Sequence, residues 1–421
     1  MDHRKLKQVI YDQHDVIQRA VIVRREYSFE PNGNYILTGI RRSGKSTILY
    51  SMVQKLIEDG ADWQQIIYVN FEDERMAEFT LADFSDLVEI ASELSDKTPY
   101  YFLDEVQNID GWERFARRMA DAKEHVYITG SNSKMLSAEM EARLGGRYLS
   151  KVIMPYNYRE YLAARGLPHD EEALYTSKGI GRLKRAASDL MHKGGFPESL
   201  NFTDKRAYVE SVYQKILLGD IALRNDIRNV TGLRIMMNKI ADTVGREISF
   251  SRLYNLVSGI GVKLSKDTII SYIGFAKDAY LIFSLRNYFA RFEERESTPK
   301  YYFEDTGLLN LFLINKDTAL LENMVAVALK RSYKEKIFYF KSEKTGLDID
   351  FYVPERATAI QVAYSISDTA YDREVNNLIR LAGSFPEAKR FVIVTADEDK
   401  LIRENGVEIE VLPLYRFLLE L

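Results

Sequence analysis

Short apolar runs alternate with helical repeats over the first 165 residues of the chain. The runs cover residues 35–38, 66–71, 100–103, 126–129 and 148–154. Between them, apolar residues recur every three or four positions, which is typical of helices. Because continuous apolar strands separated by helices are buried on both faces, this α/β pattern predicts a parallel sheet covered by helices.

The first 30 residues predict a helix that leads into this sheet. Leu6, Val9, Ile10, His14 and Ile17 lie on or near one face of that helix. Such a stripe is expected to pack against the rest of the domain.

The sequence GIRRSGKST, residues 39–47, follows the first apolar run and precedes a helical repeat. It fits the phosphate-binding pattern G-x-x-x-x-G-K-[ST], in which glycines let backbone N–H groups turn toward phosphates. A strand, a glycine loop and a helix N-terminus together direct amides and a positive dipole at an anion. We expect Lys45 to reach the β- and γ-phosphates of ATP and Ser46 to bind Mg²⁺. The predicted nucleotide contacts are Gly39, Arg42, Ser43, Gly44, Lys45, Ser46 and Thr47.

An acidic pair, Asp104 and Glu105, follows the third apolar run. A carboxylate at the carboxyl end of that strand would complete the Mg²⁺ site, so Asp104 is the second predicted metal ligand. Glu105 would polarise the attacking water. The alternative is a pair of acidic residues that caps the next helix.

Polar and basic residues follow the fourth run. Asn132 or Ser131 would sense the γ-phosphate, although both also suit the N-cap of the next helix. Arg143 and Arg147 are candidates for an arginine finger, a guanidinium that stabilises transition-state charge. Solvated arginines, or arginines that anchor the sheet edge, would fit the same positions.

These motifs resemble those of bacterial and archaeal AAA+-type ATPases. The matching segments are GIRRSGKST, Asp104-Glu105-Val106-Gln107 with Trp112, Thr129-Gly130-Ser131, and Leu144-Gly145-Gly146-Arg147. The resemblance implies an AAA+-type P-loop ATPase domain over residues 1–165, with ATP and Mg²⁺ as its ligands. The pattern over residues 166–233 predicts helices interrupted by turns. Similarity to the same families implies that this stretch is a helical lid or connector.

Residues 234–300 carry a winged helix-turn-helix pattern. One helix covers 249–258, Ser265 is the predicted N-cap of the next, and residues 281–289 alternate like a wing strand. A winged helix would place the second helix in a DNA major groove, with Lys266, Thr268 and Lys277 as contacts. Winged helices that bind only protein are the alternative.

Residues 301–421 resemble the PD-(D/E)XK, or restriction-endonuclease-like, α/β fold. The resemblance places Glu322 on a helix, Asp350 on a hairpin strand, and Gln361 and Ala363 on the next strand. Gln361 replaces an acidic metal ligand, and Ala363 replaces the lysine that would stabilise developing charge. We therefore expect a degenerate nuclease-like domain that folds but does not cleave.

Composition limits the classes of partner. The chain has 421 residues and no cysteine, so disulfides and thiol chemistry are excluded. Its formal net charge is −4, so nucleic-acid binding requires a local basic patch. Residues 234–300 provide one, with eleven lysine and arginine residues against seven aspartate and glutamate residues. No apolar run approaches the roughly 18 residues of a membrane helix, and the N-terminus lacks a signal-peptide core, so a cytoplasmic protein without membrane contact is expected.

Taken together, the patterns favour an ATPase whose nucleotide cycle is coupled to a winged-helix and nuclease-like half that acts on DNA. An arginine finger acting in trans would require a homo-oligomer. The alternative is an ATP-gated signalling or scaffold switch that binds protein partners without nucleic acid.

Overall fold

The computed structural model describes residues 1–290, 298–314, 316–342, 344–366 and 368–421. Its backbone contacts group into two compact units. The N-terminal unit comprises Met1–Pro155 with Asp278–Tyr280, and the C-terminal unit comprises Tyr156–Lys277 with Leu281–Leu421. In the described part of the chain, no helix combines the length and the apolar character needed to cross a membrane.

The N-terminal unit alternates strands and helices, as its hydrophobic pattern predicts. Its strands are β1 (Tyr35–Thr38), β2 (Ile66–Asn70), β3 (Tyr100–Asp104), β4 (His125–Gly130) and β5 (Leu149–Val152). Its helices are α1 (His3–Arg19), α2 (Lys45–Glu58), α3 (Phe84–Leu94), α4 (Trp112–Asp121) and α5 (Ala138–Leu144).

Over the described residues, these strands form a parallel five-stranded sheet in the order β2-β3-β4-β1-β5. Alternate strand residues enter two apolar clusters, one with Ile36, Ile67 and Leu103 and the other with Leu37 and Tyr68. The sheet is therefore covered on both faces, and the prediction of a parallel α/β sheet is confirmed. The predicted apolar stripe of α1 is also buried.

The C-terminal unit begins with helices and continues into a mixed sheet. The helices before the sheet are α6 (Tyr158–Ala164), α7 (Glu171–Tyr175), α8 (Ser177–Lys193), α9 (Lys205–Lys215), α10 (Val230–Asp242), α11 (Phe250–Ser258) and α12 (Lys266–Asp278). A π-helical segment, Ile216–Leu223, extends α9. The remaining helices are α13 (Thr306–Asn310), α14 (Asp317–Tyr333), α15 (Asp368–Ser384) and α16 (Leu414–Glu420).

The strands of this unit are β6 (Ile282–Asn287), β7 (Lys300–Phe303), β8 (Phe338–Ser342), β9 (Leu347–Val353), β10 (Thr358–Val362), β11 (Arg390–Thr395), β12 (Lys400–Glu404) and β13 (Val407–Pro413). Among described residues they form one eight-stranded sheet in the order β12-β13-β11-β10-β9-β8-β6-β7. Strands β6 and β7 pair as an antiparallel hairpin after α12. The predicted wing strand, residues 281–289, overlaps β6, and residues 291–297 lie outside the described residues. Ser265 Oγ accepts a hydrogen bond from the N–H of Thr268, as expected of the N-cap of α12.

A buried carboxylate holds the turn that follows α8. Gly195 N–H donates to Asp305 Oδ2 at 2.7 Å, and Gly307 N–H donates to Asp305 Oδ1 at 2.9 Å. Gly194 has φ +77, and a Cβ there would lie 2.1 Å from Asp305 Oδ1. A glycine is needed at position 194 because the turn wraps closely around this carboxylate.

Asp305→Ala should destabilise the protein by about 2–3 kcal/mol, because two buried amides lose their acceptor. Asp305→Asn, which keeps one of the two acceptor oxygens, should lose less stability than Asp305→Ala. Urea unfolding followed by far-UV circular dichroism measures both variants.

Stability should also depend on pH through Asp305. Burial raises the pKa of Asp305 to about 6, from 3.8 for a free aspartate. Below pH 4 this carboxyl therefore makes its full contribution to the free energy of unfolding. As pH rises through 6 that contribution is lost, and the free energy of unfolding falls by about 3 kcal/mol relative to that of Asp305→Asn. Parallel pH profiles for wild type and Asp305→Asn between pH 4 and 7 would contradict this assignment.

Candidate functional site

The loop between β1 and α2 has the backbone conformation that its glycines allow. Gly39 has φ +140, and a Cβ at this position would lie 2.1 Å from the carbonyl oxygen of Ile153. Gly44 has φ +96 and is the N-cap of α2, so no side chain of its own covers the first amides of the helix. Arg42 also has a positive φ, of 61°. The N-terminus of α2 is thus not covered by a capping side chain, an arrangement that suits an anion.

Lys45 begins helix α2 and is only 4% exposed. Its Nζ donates to the carbonyl oxygens of Gly39 and Ile40, both at 3.2 Å. Glu105 Oε1 lies 3.6 Å from the same nitrogen. The ammonium is therefore held over the loop by acceptors that phosphate oxygens can replace.

Asp104 ends β3 and is completely buried. Tyr68 OH donates to its Oδ2 at 2.8 Å, and Thr129 Oγ1 donates to its Oδ1. Ser46 makes a further side-chain hydrogen bond to the carboxylate. Burial and the neighbouring Glu105 raise the pKa of Asp104, and the three hydroxyl donors oppose that shift. The predicted Mg²⁺ ligands Ser46 and Asp104 are thus brought together.

Glu105 has a left-handed backbone, with φ 54. Its N–H donates to Thr129 Oγ1 at 2.9 Å, and Gln107 Nε2 donates to its Oε2 at 2.6 Å. Burial alone would raise the pKa of Glu105, but the charge of Lys45 and the hydrogen bond from Gln107 lower it overall. Glu105 is therefore ionised at neutral pH, as a general base must be.

The two residues considered for γ-phosphate sensing have different surroundings. Asn132 Oδ1 accepts from Lys134 N–H at 2.8 Å, so this side chain caps the short helical turn Ser133–Leu136. Ser131 is buried and hydrogen-bonds Glu105. Of the two, Ser131 is the one in contact with the acidic pair.

Both candidate finger arginines form ion pairs at the surface of the N-terminal unit. Arg143 contacts Glu113 at 2.9 Å and Glu139 at 2.7 Å. Arg147 pairs with Asp121, the last residue of α4. The structure thus gives each guanidinium carboxylate partners on or beside helices α4 and α5.

Two buried polar atoms, one in the loop and one beside the acidic pair, are available to a phosphate or a divalent cation. Ser43 Oγ and Gln107 Oε1 are buried, and neither has a hydrogen-bond partner among the described residues. Since buried polar atoms are normally paired, these two atoms fit a ligand that brings donors and acceptors. Thr47, the remaining predicted contact, follows Ser46 in the first turn of α2.

Several residues around the loop were not predicted from the sequence patterns. Arg25 donates to the carbonyl oxygens of Ser43 at 3.0 Å and Met154 at 2.7 Å. Tyr280 OH and Thr38 Oγ1, at the end of β1, are 2.7 Å apart. These contacts join residues far apart in sequence, so no local motif identifies them.

The residues of the predicted nuclease-like site meet in the C-terminal unit. Glu322 on α14, Asp350 on β9 and Gln361 on β10 line one cleft of about 920 Å³. Gln361 is engaged by the neighbouring strand: its Oε1 accepts from Asp350 N–H at 2.8 Å, and its Nε2 donates to Asp348 O at 3.0 Å. Its amide therefore joins β9 to β10. Ala363 is buried in the apolar cluster beneath α15.

Two family profiles match separate parts of the chain. Residues 31–162 match the AAA domain, and residues 184–319 match a domain of unknown function, DUF8612. An uncharacterized protein of Methanocaldococcus jannaschii is 29% identical over 378 residues, covering 88% of this chain and 83% of the relative. An uncharacterized protein of Haemophilus influenzae is 26% identical over 385 residues, covering 89% of this chain and 92% of the relative.

Among solved structures, the chain is similar to the Walker-type ATPase of Pyrococcus abyssi, with a TM-score of 0.42, 16% identity, and coverage of 71% of this chain and 100% of that chain. The Orc1 protein of Aeropyrum pernix in complex with DNA gives a TM-score of 0.32 and 16% identity, covering 77% of this chain and 93% of that chain. The AAA-domain match coincides with the parallel sheet and its phosphate-binding loop.

Gly39→Ala should weaken ATP binding by ~10-fold or more and destabilise the protein by about 2 kcal/mol, because the new Cβ meets Ile153 in a left-handed backbone. Titration with a fluorescent ATP analogue, together with urea unfolding, measures both effects. The control is Gly181→Ala in α8, where a Cβ meets nothing within 4 Å. Equal ATP affinity in the two variants would exclude the tight loop geometry.

Proposed function

We propose, from the premise that residues 31–162 form an AAA-type P-loop domain, that this protein binds and hydrolyses ATP with Mg²⁺. The observation that carries the proposal is the convergence of Lys45, Ser46, Asp104 and Glu105 where β1 and β3 end. Bound Mg²⁺ would supply a divalent charge that neutralises the phosphate oxygens and the leaving group.

Each of the four residues has a distinct part in the proposed reaction. Lys45 exchanges its carbonyl acceptors for the β- and γ-phosphates, and the loop amides hold the same oxygens. Ser46 and Asp104 hold Mg²⁺ through hydroxyl and carboxylate oxygens. Glu105, kept ionised beside Lys45, orients the attacking water and accepts its proton.

The arginine finger is proposed to act between copies of the chain. Arg147 or Arg143 would leave its surface ion pair and meet the γ-phosphate of a neighbouring protomer. Asp121, the partner of Arg147, is half-exposed, whereas Glu113, one of the two partners of Arg143, is buried, so Arg147 is released at the lower cost. A homo-oligomer follows from this part of the proposal.

We further propose that the C-terminal half couples the ATP cycle to DNA. Helices α10, α11 and α12 followed by the β6–β7 hairpin support a winged helix-turn-helix. The order α14-β8-β9-β10-α15-β11 supports the nuclease-like fold expected from sequence. In the winged helix, Lys266, Thr268 and Lys277 of α12 would contact DNA.

Lys45→Ala should lower ATP turnover by ~10²–10³-fold, because one preorganised charge on the phosphates is lost. The matched control is Lys55→Ala, which removes an exposed lysine of the same helix and should turn over normally. A coupled phosphate-release assay measures both. Normal turnover in Lys45→Ala would overturn the ATPase assignment.

Glu105→Gln should bind ATP with unchanged or tighter affinity while turnover falls by ~10²–10⁴-fold, since the amide cannot accept the proton of water. Glu58→Gln, an exposed residue at the end of α2, is the control. Loss of ATP binding in Glu105→Gln would instead assign this residue a structural part.

DNA should raise ATP turnover, and the stimulation should fade as salt rises from 50 to about 200 mM, because phosphate contacts release counterions. The assay compares single-stranded, duplex and branched DNA, and Lys45→Ala gives the background rate of turnover. Turnover that is indifferent to every DNA would favour an ATP-gated switch that binds protein partners.

A further inference from the structure

Helix α8 of the C-terminal unit is strongly basic. Its 17 residues include five lysines and arginines and one aspartate. By contrast, α12, the second helix of the predicted winged helix, contains two lysines and two aspartates. An excess of positive charge is therefore found on α8 and is absent from α12.

Four of the five cations of α8 lie on one side of the helix. Each residue advances by about 100° around the axis, so these four fall within an arc of about 80°. They are Lys178, Arg182, Arg185 and Lys193, and all four are exposed. We call these four residues the basic face of α8. The fifth cation, Lys184, lies outside the arc and pairs with Asp397 at 2.9 Å.

Three members of the basic face have no carboxylate to balance them. Among the described residues, Lys178, Arg182 and Arg185 form neither an ion pair nor a side-chain hydrogen bond. Lys178 and Arg182 are also like charges four residues apart, a spacing that destabilises a helix. Their charge is therefore not used by the fold and remains available to an anionic partner.

The positive surface continues past the C-terminal end of α8. Asp189 is the acidic residue of this helix, and both Lys193 and Arg165 pair with it. Lys205, the first residue of α9, has no ion pair within the part of the chain that the structure describes. Burial and the neighbouring charges of Arg165 and Lys193 lower the pKa of Lys205. One carboxylate thus faces three cations, whose mutual repulsion an anion would relieve.

Two exposed aromatic rings flank this surface. Tyr175, two residues before α8, is 80% exposed. Phe202, three residues before Lys205, is 49% exposed, and its ring centroid lies 4.8 Å from that of Tyr208. Charge alone would suit any polyanion. Exposed rings beside cations favour a single-stranded nucleic acid, because its unpaired bases can stack on them.

The length of the basic face also suits a sugar–phosphate backbone. From Lys178 to Lys193 the helix rises by about 22 Å. Phosphates follow one another every ~3.4 Å along a stacked strand, so this length spans several of them. Arginine, which supplies two of the four cations, can bind two phosphate oxygens with parallel N–H donors.

We propose that the basic face of α8, together with Lys205, Tyr175 and Phe202, binds single-stranded DNA. The cations hold phosphates, and the two aromatic rings stack on bases. This inference deepens the proposed action on DNA and rests on it, but it depends neither on ATP hydrolysis nor on the winged helix.

Binding is measured on the full chain without ATP, by fluorescence anisotropy of a labelled oligothymidine of about 20 nucleotides. The triple variant Lys178→Gln/Arg182→Gln/Arg185→Gln should bind ~10-fold or more weakly, because three phosphate contacts are lost. The slope of log affinity against log salt should fall by about 2, at ~0.7 for each phosphate.

The matched control is Lys55→Gln/Lys97→Gln/Lys336→Gln. It removes the same charge from three exposed ion pairs elsewhere on the chain, and it should bind as the wild type does. Circular dichroism verifies that both triple variants fold. ATP turnover is measured separately on the same preparations, so failure of the ATPase proposal is seen independently of binding.

Tyr175 separates stacking from charge. Tyr175→Ala should bind ~5–100-fold more weakly with an unchanged salt slope, because the ring contacts a base and no phosphate. Tyr175→Phe keeps the ring and should bind normally. Duplex DNA of the same length should bind more weakly than the single strand, since its bases are already paired and stacked.

Unchanged affinity and salt slope in the α8 triple variant would overturn the proposal. If Lys266→Gln in α12 lost binding in that case, the DNA contact would belong to the winged helix. Displacement of the oligonucleotide by polyglutamate, combined with normal binding in Tyr175→Ala, would overturn the proposal in favour of an acidic protein partner. Equal affinity for duplex and single strand would overturn the choice of single-stranded DNA.

Discussion

The N-terminal unit depends on keeping the carboxylate of Asp104 free of water at the end of β3. An isolated buried carboxylate is strongly disfavoured, so its oxygens must be satisfied by donors from the surrounding structure. Those donors come from three different elements: Tyr68 from β2, Thr129 from β4 and Ser46 from α2. The acidic site is therefore complete only when the three parallel strands and the helix have assembled.

The same arrangement couples Asp104 to the neighbouring charges. Glu105 leaves the strand with a left-handed backbone, which directs its side chain toward Lys45 and Gln107. An opposite charge at 3.6 Å and a hydrogen-bond donor keep Glu105 ionised in spite of its burial. The two carboxylates of one sequence motif thus have opposite pKa shifts, because only Glu105 lies beside the charge of Lys45.

A second buried charge, Lys300, lies in the C-terminal unit. Lys300 belongs to the hairpin that follows α12, and that hairpin continues into the larger sheet through the parallel pairing of Arg286 with Phe338. One continuous sheet therefore connects the hairpin that follows α12 to the cleft beside Glu322 and Asp350.

Sequence reasoning placed the strands of the N-terminal unit, the phosphate-binding loop and the acidic pair, and the structure brings Lys45, Ser46, Asp104 and Glu105 together as expected. The N-cap of α12 at Ser265 was also placed correctly. The winged-helix and nuclease-like assignments remain predictions. The different contacts of Ser131 and Asn132 came only from the structure, because both residues follow the same strand.

What the sequence by itself determined is local: hydrophobic repeats, glycines in turns and charged residues at strand ends act over a few neighbouring positions. The tertiary structure decided the partners of the buried charges. Arg25 at the loop and Lys300 in the cleft take their partners from elements distant in sequence. The physical reason is that burial removes water as a partner, and the replacement must come from whichever side chain the fold brings within reach.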